Sequence, residues 1–273
     1  ISPDCPPEYL IGLAGAEIGW VAGLRKDERS ALLALIDATP PVAADDLCAD
    51  GWLRLSHGPW SGLWHAAPGG LSQSPGHGHQ DSGGFELHFE DLPVFVDPGR
   101  GAYGETGAAA HYRSAHAHNT VTVDGAGAYP VNKPYYDDGF RREVGGTNPE
   151  LRGGGDEVVL RHGGFQRLKG VGALTRQWRF IKNTMTLTDR LEGQGTHRIT
   201  RRFLTPLKTE PGAGGVVLRG AKGTFHLHSP DATATAAPTT LWHAYGAGHP
   251  GSVIEFTADA SLPWSGEVRL EML

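Results

Sequence analysis

The sequence predicts a mainly β fold, a large antiparallel β-sandwich of stacked, many-stranded sheets preceded by a short α-helical segment. Three observations carry this expectation. Forty glycines and nineteen prolines in 273 residues suit tight turns between short strands. Beyond Asp50 apolar and polar residues alternate in short runs, the period of a strand with one buried face. Before Ala38 apolar residues recur at intervals of about three to four, the period of a helix.

The elements follow in order. Glu8 to Ala38 reads as two helices separated by a break near Gly23 to Asp27. Thr39-Pro-Pro-Val-Ala-Ala-Asp-Asp46 is a linker, so residues 1–45 are expected to form a helical segment with its linker and residues 46–273 the sandwich. Strands are expected at Trp52–Leu55, Gly62–Ala66, Phe85–Phe89, Val94–Val96, Thr120–Val123, Val158–Arg161, Leu174–Ile181 and Met185–Thr188. Further strands are expected at Arg198–Leu204, Val216–Leu218, Thr224–His228, Val253–Thr257 and Glu267–Leu270. Lys182-Asn183 between two alternating arms is a hairpin signal. Asp231 to Thr240 is a small-residue loop or a weak edge strand, and Trp178, Trp242 and Trp264 stand in strand-like contexts that suit core or inter-sheet packing.

Composition narrows the function. A net charge of -6, from 24 Lys+Arg against 30 Asp+Glu, lacks the basic field of non-specific nucleic-acid binding. Cys5 and Cys48 cannot build a disulfide framework or a thiolate metal site. No apolar run is long enough for a membrane span, and the N-terminus lacks the plan of a signal peptide. The chain opens on Ile1 rather than Met, and is expected to be a mature or truncated piece of something longer.

Histidine is the informative residue type. His77, His79, His88, His111, His116 and His118 fall within one stretch. His88 sits in an alternating strand and His111 and His116 in a Gly/Ala-rich loop, where ordinary surface or core roles suffice. His77 and His79 differ: positions i and i+2 of an extended segment face the same way. Asp97 closes the strand Val94-Phe-Val, and His118 precedes Thr120-Val-Thr-Val, so both lie at strand ends where a sheet can gather ligands. Two neutral imidazoles and a carboxylate form a usual zinc shell, although no H-E-x-x-H pattern is present. Asp81, Glu86 and Glu90 leave a glycosidase pair open. Arg113 could pair with a ligand carboxylate or with a local acid, and Tyr129 to Asp138 could be a substrate-lining loop or a rigid surface loop.

Taken together, Gly76-His-Gly-His-Gln-Asp, Gly84-Phe-Glu-Leu, Val96-Asp-Pro-Gly, Tyr103 and His118-Asn-Thr-Val-Thr-Val-Asp-Gly125 resemble the heparinase II/III-like polysaccharide lyases in order and spacing. Arg176-Gln-Trp-Arg-Phe and Asp189-Arg-Leu-Glu-Gly193 resemble the sandwich strands that follow. The resemblance covers about residues 50–273, while residues 1–40 look like the last helices of that family's α/α toroid.

The resemblance implies a sandwich docked beside a toroid, with an acidic polysaccharide or oligosaccharide between them. It implies zinc held by His79, Asp97 and His118 and organising the cleft, His77 facing the substrate, and Tyr103 as the sandwich-side catalytic tyrosine. Tyr112 and Arg113 are its neighbours at the substrate. Asp81 is left to orient a histidine or the glycine turn. The implied reaction is β-elimination on a uronate polymer such as alginate, a glycosaminoglycan or a bacterial exopolysaccharide, in a periplasmic or secreted setting. It needs the C5 carboxylate neutralised, a base for the C5 proton and an acid for the leaving oxygen. The toroid's tyrosine and Asn/His have no counterpart here: the helical part has Tyr9 alone and no histidine precedes His57. A non-catalytic, zinc-stabilised carbohydrate-binding or scaffold module is the alternative. A metal-dependent glycan hydrolase is a third, and requires an open, water-bearing metal position.

Overall fold

The computed structural model describes residues 24–38, 51–66, 78–131, 149–244 and 246–273. The chain divides after Ala49 into two units. Of the first, the helix α1 (Lys26–Ala38) is described. Asp27 and Glu28 occupy its first turn, where carboxylates complement the exposed N–H groups and the dipole, and Glu28 Oε2 accepts from Arg25 N at 3.1 Å. The earlier helix, the linker and His77 lie outside the described residues.

The second unit is the expected β-sandwich, with three antiparallel sheets. The first runs in order β1 (Trp52–His57), β2 (Trp60–His65), β3 (Phe85–Phe89) and β4 (Leu92–Phe95). The second has β14 (Thr233–Ala244) at its edge, then β15 (Ala247–Ser261), β10 (Thr196–Thr205) and β5 (Val121–Val123). The third runs β11 (Lys208–Gly212), β12 (Gly215–Arg219), β13 (Thr224–His228), β16 (Trp264–Met272), β9 (Thr184–Gly193), β8 (Val171–Ile181), β7 (Glu157–His162) and β6 (Glu150–Gly154). Lys182-Asn183 does turn β8 into β9, with Lys182 at φ 51°. The segment read as a loop or weak edge strand is the edge strand β14. It carries Pro238, which an edge tolerates because one row of its N–H groups needs no partner.

Alternation puts Trp60, Trp64, Phe85 and Leu87 on one side of the main core and Leu160, Trp178, Leu187, Phe225 and Leu270 on the other, all buried. Their rings meet edge to face, as Trp64 and Trp178 do at 6.0 Å, the arrangement that ring quadrupoles favour. Trp178 is core, as expected, while Trp242 serves a loop: its ring and carbonyl are where a Cβ on Gly101 or Gly99 would stand, at 2.4 and 2.0 Å. Glycine is therefore required where the loop after β4 crosses β14.

Two buried polar residues fix that loop region. Asn119 Nδ2 donates to Phe85 O and Val96 O at 2.8 and 2.9 Å, and its Oδ1 accepts from Leu204 N at 2.6 Å. One side chain thus joins β3, the end of β4 and β10. Arg176, paired with Asp189 at 2.8 Å in the core, donates Nη1 to Gly83 O and Asn119 O. The third sheet is in this way bonded to both loops that carry the histidines.

Candidate metal centre

His79, Asp81 and His118 each offer a ligand atom, and the three atoms lie within 4.8 Å of one another. His79 and Asp81 belong to the segment before β3. Gln80 N donates to Arg113 O at 2.8 Å and Gly84 N to Asp81 O at 2.7 Å, so backbone bonds pin this segment on both sides of Asp81. His118 follows the short 3-10 turn Ala115–Ala117 and has extended backbone. It is fully buried.

The electrostatics divide the cluster. His79 is pulled down to about 4, first by burial and then by the charge of His118, against the raising effect of Asp81 and Asp97. It is a neutral imidazole at neutral pH, with a lone pair available for a cation. Burial works to raise Asp81, but the contact with His65 and the charges of His118, His65 and His79 outweigh it and hold the carboxyl well below its usual range. Burial likewise opposes a charge on His118, yet the Asp97 carboxylate lifts it to about 9.

The His118 ring uses both nitrogens: Nδ1 lies 2.7 Å from Asp97 Oδ2 and Nε2 3.1 Å from Tyr112 O. Asp97 also accepts from Gly99 N at 2.9 Å. A carboxylate on the far nitrogen of a ligating histidine is a common support for metal sites. A neutral imidazole, an ionised carboxylate and a carboxylate-supported histidine fit a divalent metal with mixed nitrogen and oxygen preference. Ligation by His118 would exchange one of its two present bonds for the metal.

The expected site residues are placed as follows. His79 and His118 come together. Asp97 stays beside His118 and outside the triad, whose carboxylate is Asp81. Tyr103 is exposed at 58% with the Arg100 guanidinium 4.3 Å above its ring. Tyr112 is buried, its hydroxyl donating to Thr240 O at 3.0 Å. Arg113 is buried and bonds Glu105 at 2.6 Å, the local-acid outcome. Of the other acids, Glu86 accepts from Asp97 N at 3.2 Å, and Glu90 is exposed in a turn at φ 54°. Tyr129, at the head of the 129–138 loop, is buried, which pushes its phenol up and away from a base's range. Sequence reasoning missed His65, whose Nδ1 is 3.5 Å from Asp81, and Arg100, whose charge acts on His79. The signal for His65 was its outward register in β2, and for Arg100 its place just after Asp97-Pro98-Gly99.

The family description "Heparinase II/III-like, C-terminal" matches residues 39–271. A crystal structure of a mutant heparan sulfate lyase HepC from Pedobacter heparinus is similar over 98% of this chain and 42% of its own, with TM-score 0.65 and 14% identity. A heparinase III crystal structure is similar over 82% of this chain and 35% of its own, with TM-score 0.63 and 15% identity. The chain thus spans less than half the length of these structures. No curated protein matches the sequence significantly.

Proposed function

The chain belongs to the heparinase II/III-like family, residues 39–271 carrying its C-terminal domain, and on that premise we propose that it forms the sandwich side of a polysaccharide lyase cleft. The reaction is β-elimination on a uronic-acid-containing chain, in a periplasmic or secreted setting. The observation that carries this reading is the triad His79, Asp81 and His118 within 4.8 Å, with the cation Arg100 and the exposed Tyr103 on the neighbouring loop.

A divalent metal held by His79, Asp81 and His118 would supply fixed positive charge that organises the cleft. The protein groups do the rest. Arg100 is suited to pair with the substrate carboxylate, since a guanidinium offers a planar fork of donors, and neutralising that carboxylate makes the C5 proton more acidic. Tyr103 serves as the sandwich-side proton-transfer group, held exposed beside the Arg100 guanidinium that lies over its ring. We assign His77, which lies outside the described residues, to the same substrate. Tyr112 and Arg113 act from behind, holding the 112–118 segment through Thr240 O, Glu105 and Gly78 O. The principal tyrosine and the amide or imidazole that complete the carboxylate pocket are supplied by a helical toroid.

The test is incubation of full-length protein with heparan sulfate, alginate and other uronate polymers, following the ultraviolet absorbance of the unsaturated uronate product. A rise on at least one polymer is expected. Folded full-length protein giving no rise on any of them sinks the lyase reading.

A further inference from the structure

The outer face of the first sheet carries a large aromatic side chain that core packing does not explain. Trp52 lies opposite His65 and Arg54 opposite Leu63, whereas Leu53 faces Trp64. Leu53 and Trp64 therefore turn toward the core, and Trp52, Arg54, His65 and Leu63 turn outward. Outward positions of an antiparallel sheet are normally polar. Trp52 is nevertheless 38% exposed, with one face of its indole supported by the His65 ring at 4.3 Å between centroids. Arg54 stands two positions along on the same face, about 7 Å away. It is exposed and has no ion-pair partner among the described residues.

Through His65, Trp52 is linked to the metal centre. His65 Nδ1 is 3.5 Å from Asp81 Oδ1, and Asp81 belongs to the triad. One unbroken line of contacts runs from the exposed indole through His65 to the cluster. An apolar ring next to a guanidinium that has no ion-pair partner among the described residues is a two-part surface. The indole complements the C–H face of a pyranose ring, and the guanidinium complements a carboxylate or sulfate on that ring.

We propose that Trp52 and Arg54 form a subsite for one acidic sugar residue of the polysaccharide, next to the metal centre and apart from the reacting residue. This deepens the lyase reading and rests on it for the ligand class. Such a subsite adds binding that is equal in ground and transition states, so its loss raises KM and leaves kcat in place.

The test is titration of this chain with hexasaccharides from heparan sulfate and from alginate, by calorimetry and by indole fluorescence, together with KM and kcat for the full-length protein. Trp52→Ala is expected to weaken binding about tenfold or more and Trp52→Phe much less, as for loss of an aromatic contact worth about 1.4 kcal/mol. Arg54→Ala is expected to weaken binding and to flatten its salt dependence, with Arg54→Lys in between. Zinc affinity and thermal unfolding should match wild type in all four. Wild-type protein that binds while Trp52→Ala and Arg54→Ala bind equally well overturns the subsite alone. Wild-type protein that binds none of the acidic oligosaccharides overturns both the subsite and the uronate reading.

Discussion

Two aspartates stand beside His118, and their contacts assign them different work. Asp81 is within reach of both imidazoles of the triad. Asp97 spends Oδ2 on His118 Nδ1 and Oδ1 on Gly99 N, which leaves it less able to turn toward a metal. The resemblance implied Asp97 as ligand and Asp81 as support, whereas the three ligand atoms that lie within 4.8 Å of one another are those of His79, Asp81 and His118. Competition against a chromophoric zinc chelator separates them. Asp81→Asn is expected to cost more than about 100-fold in zinc affinity as a lost ligand, and Asp97→Asn about 10–100-fold as a lost outer partner. The reverse order would return the ligand role to Asp97. His79→Ala should abolish measurable binding in either case, because the neutral imidazole is the donor that needs no deprotonation at neutral pH.

The elements around the site depend on a few buried polar groups, and these make sharper predictions than the strands themselves. Asn119→Leu leaves Phe85 O, Val96 O and Leu204 N unpaired in the core. At about 1–3 kcal/mol for each buried unsatisfied group, a loss of about 3 kcal/mol or more is expected in urea unfolding. Arg176→Met strands Asp189, which is fully buried, and should cost about 3–5 kcal/mol. Arg176→Met with Asp189→Leu should recover much of that, since an apolar pair needs no charge compensation. A double variant no more stable than Arg176→Met would mean that the bonds to Gly83 O and Asn119 O carry the stability. The strands that the sequence hides have a common cause. Glu150–Gly154 and Lys208–Gly212 are the two outer edges of the eight-stranded sheet, held by backbone bonds to one neighbour, and their residues are mostly exposed. With little of either face to bury, they need little apolar alternation, and glycine and proline are tolerated in them.

At the scale of the whole molecule, alternation made the sandwich legible because every interior strand buries one face. The site was legible in part because His79 and His118 lie in a dense run of motifs. His65, Arg100 and Trp52 were not, since their roles arise from strand register and loop crossing between residues far apart in sequence. His162 shows the same limit: at the end of β7 it packs between Tyr129 and Phe165, at 5.7 Å from each ring, and accepts from Gly164 N at 3.2 Å. Burial, aided by the charge of Arg176, pulls it down to about 3. The folded protein therefore keeps His162 neutral where the unfolded chain, titrating near its ordinary value of about 6.5, takes up a proton. The slope of unfolding free energy with pH is then positive below about 6.5: stability is complete above that pH and falls as the pH drops toward 3, by up to about 1.4 kcal/mol per unit. By pH 5 this one residue should cost about 2 kcal/mol relative to pH 7. His162→Gln keeps an acceptor for Gly164 N and cannot titrate, so its acid limb in denaturant titrations between pH 7 and 5 should be shallower by that amount. Parallel curves for wild type and His162→Gln would show that the acid sensitivity of the sandwich comes from other groups.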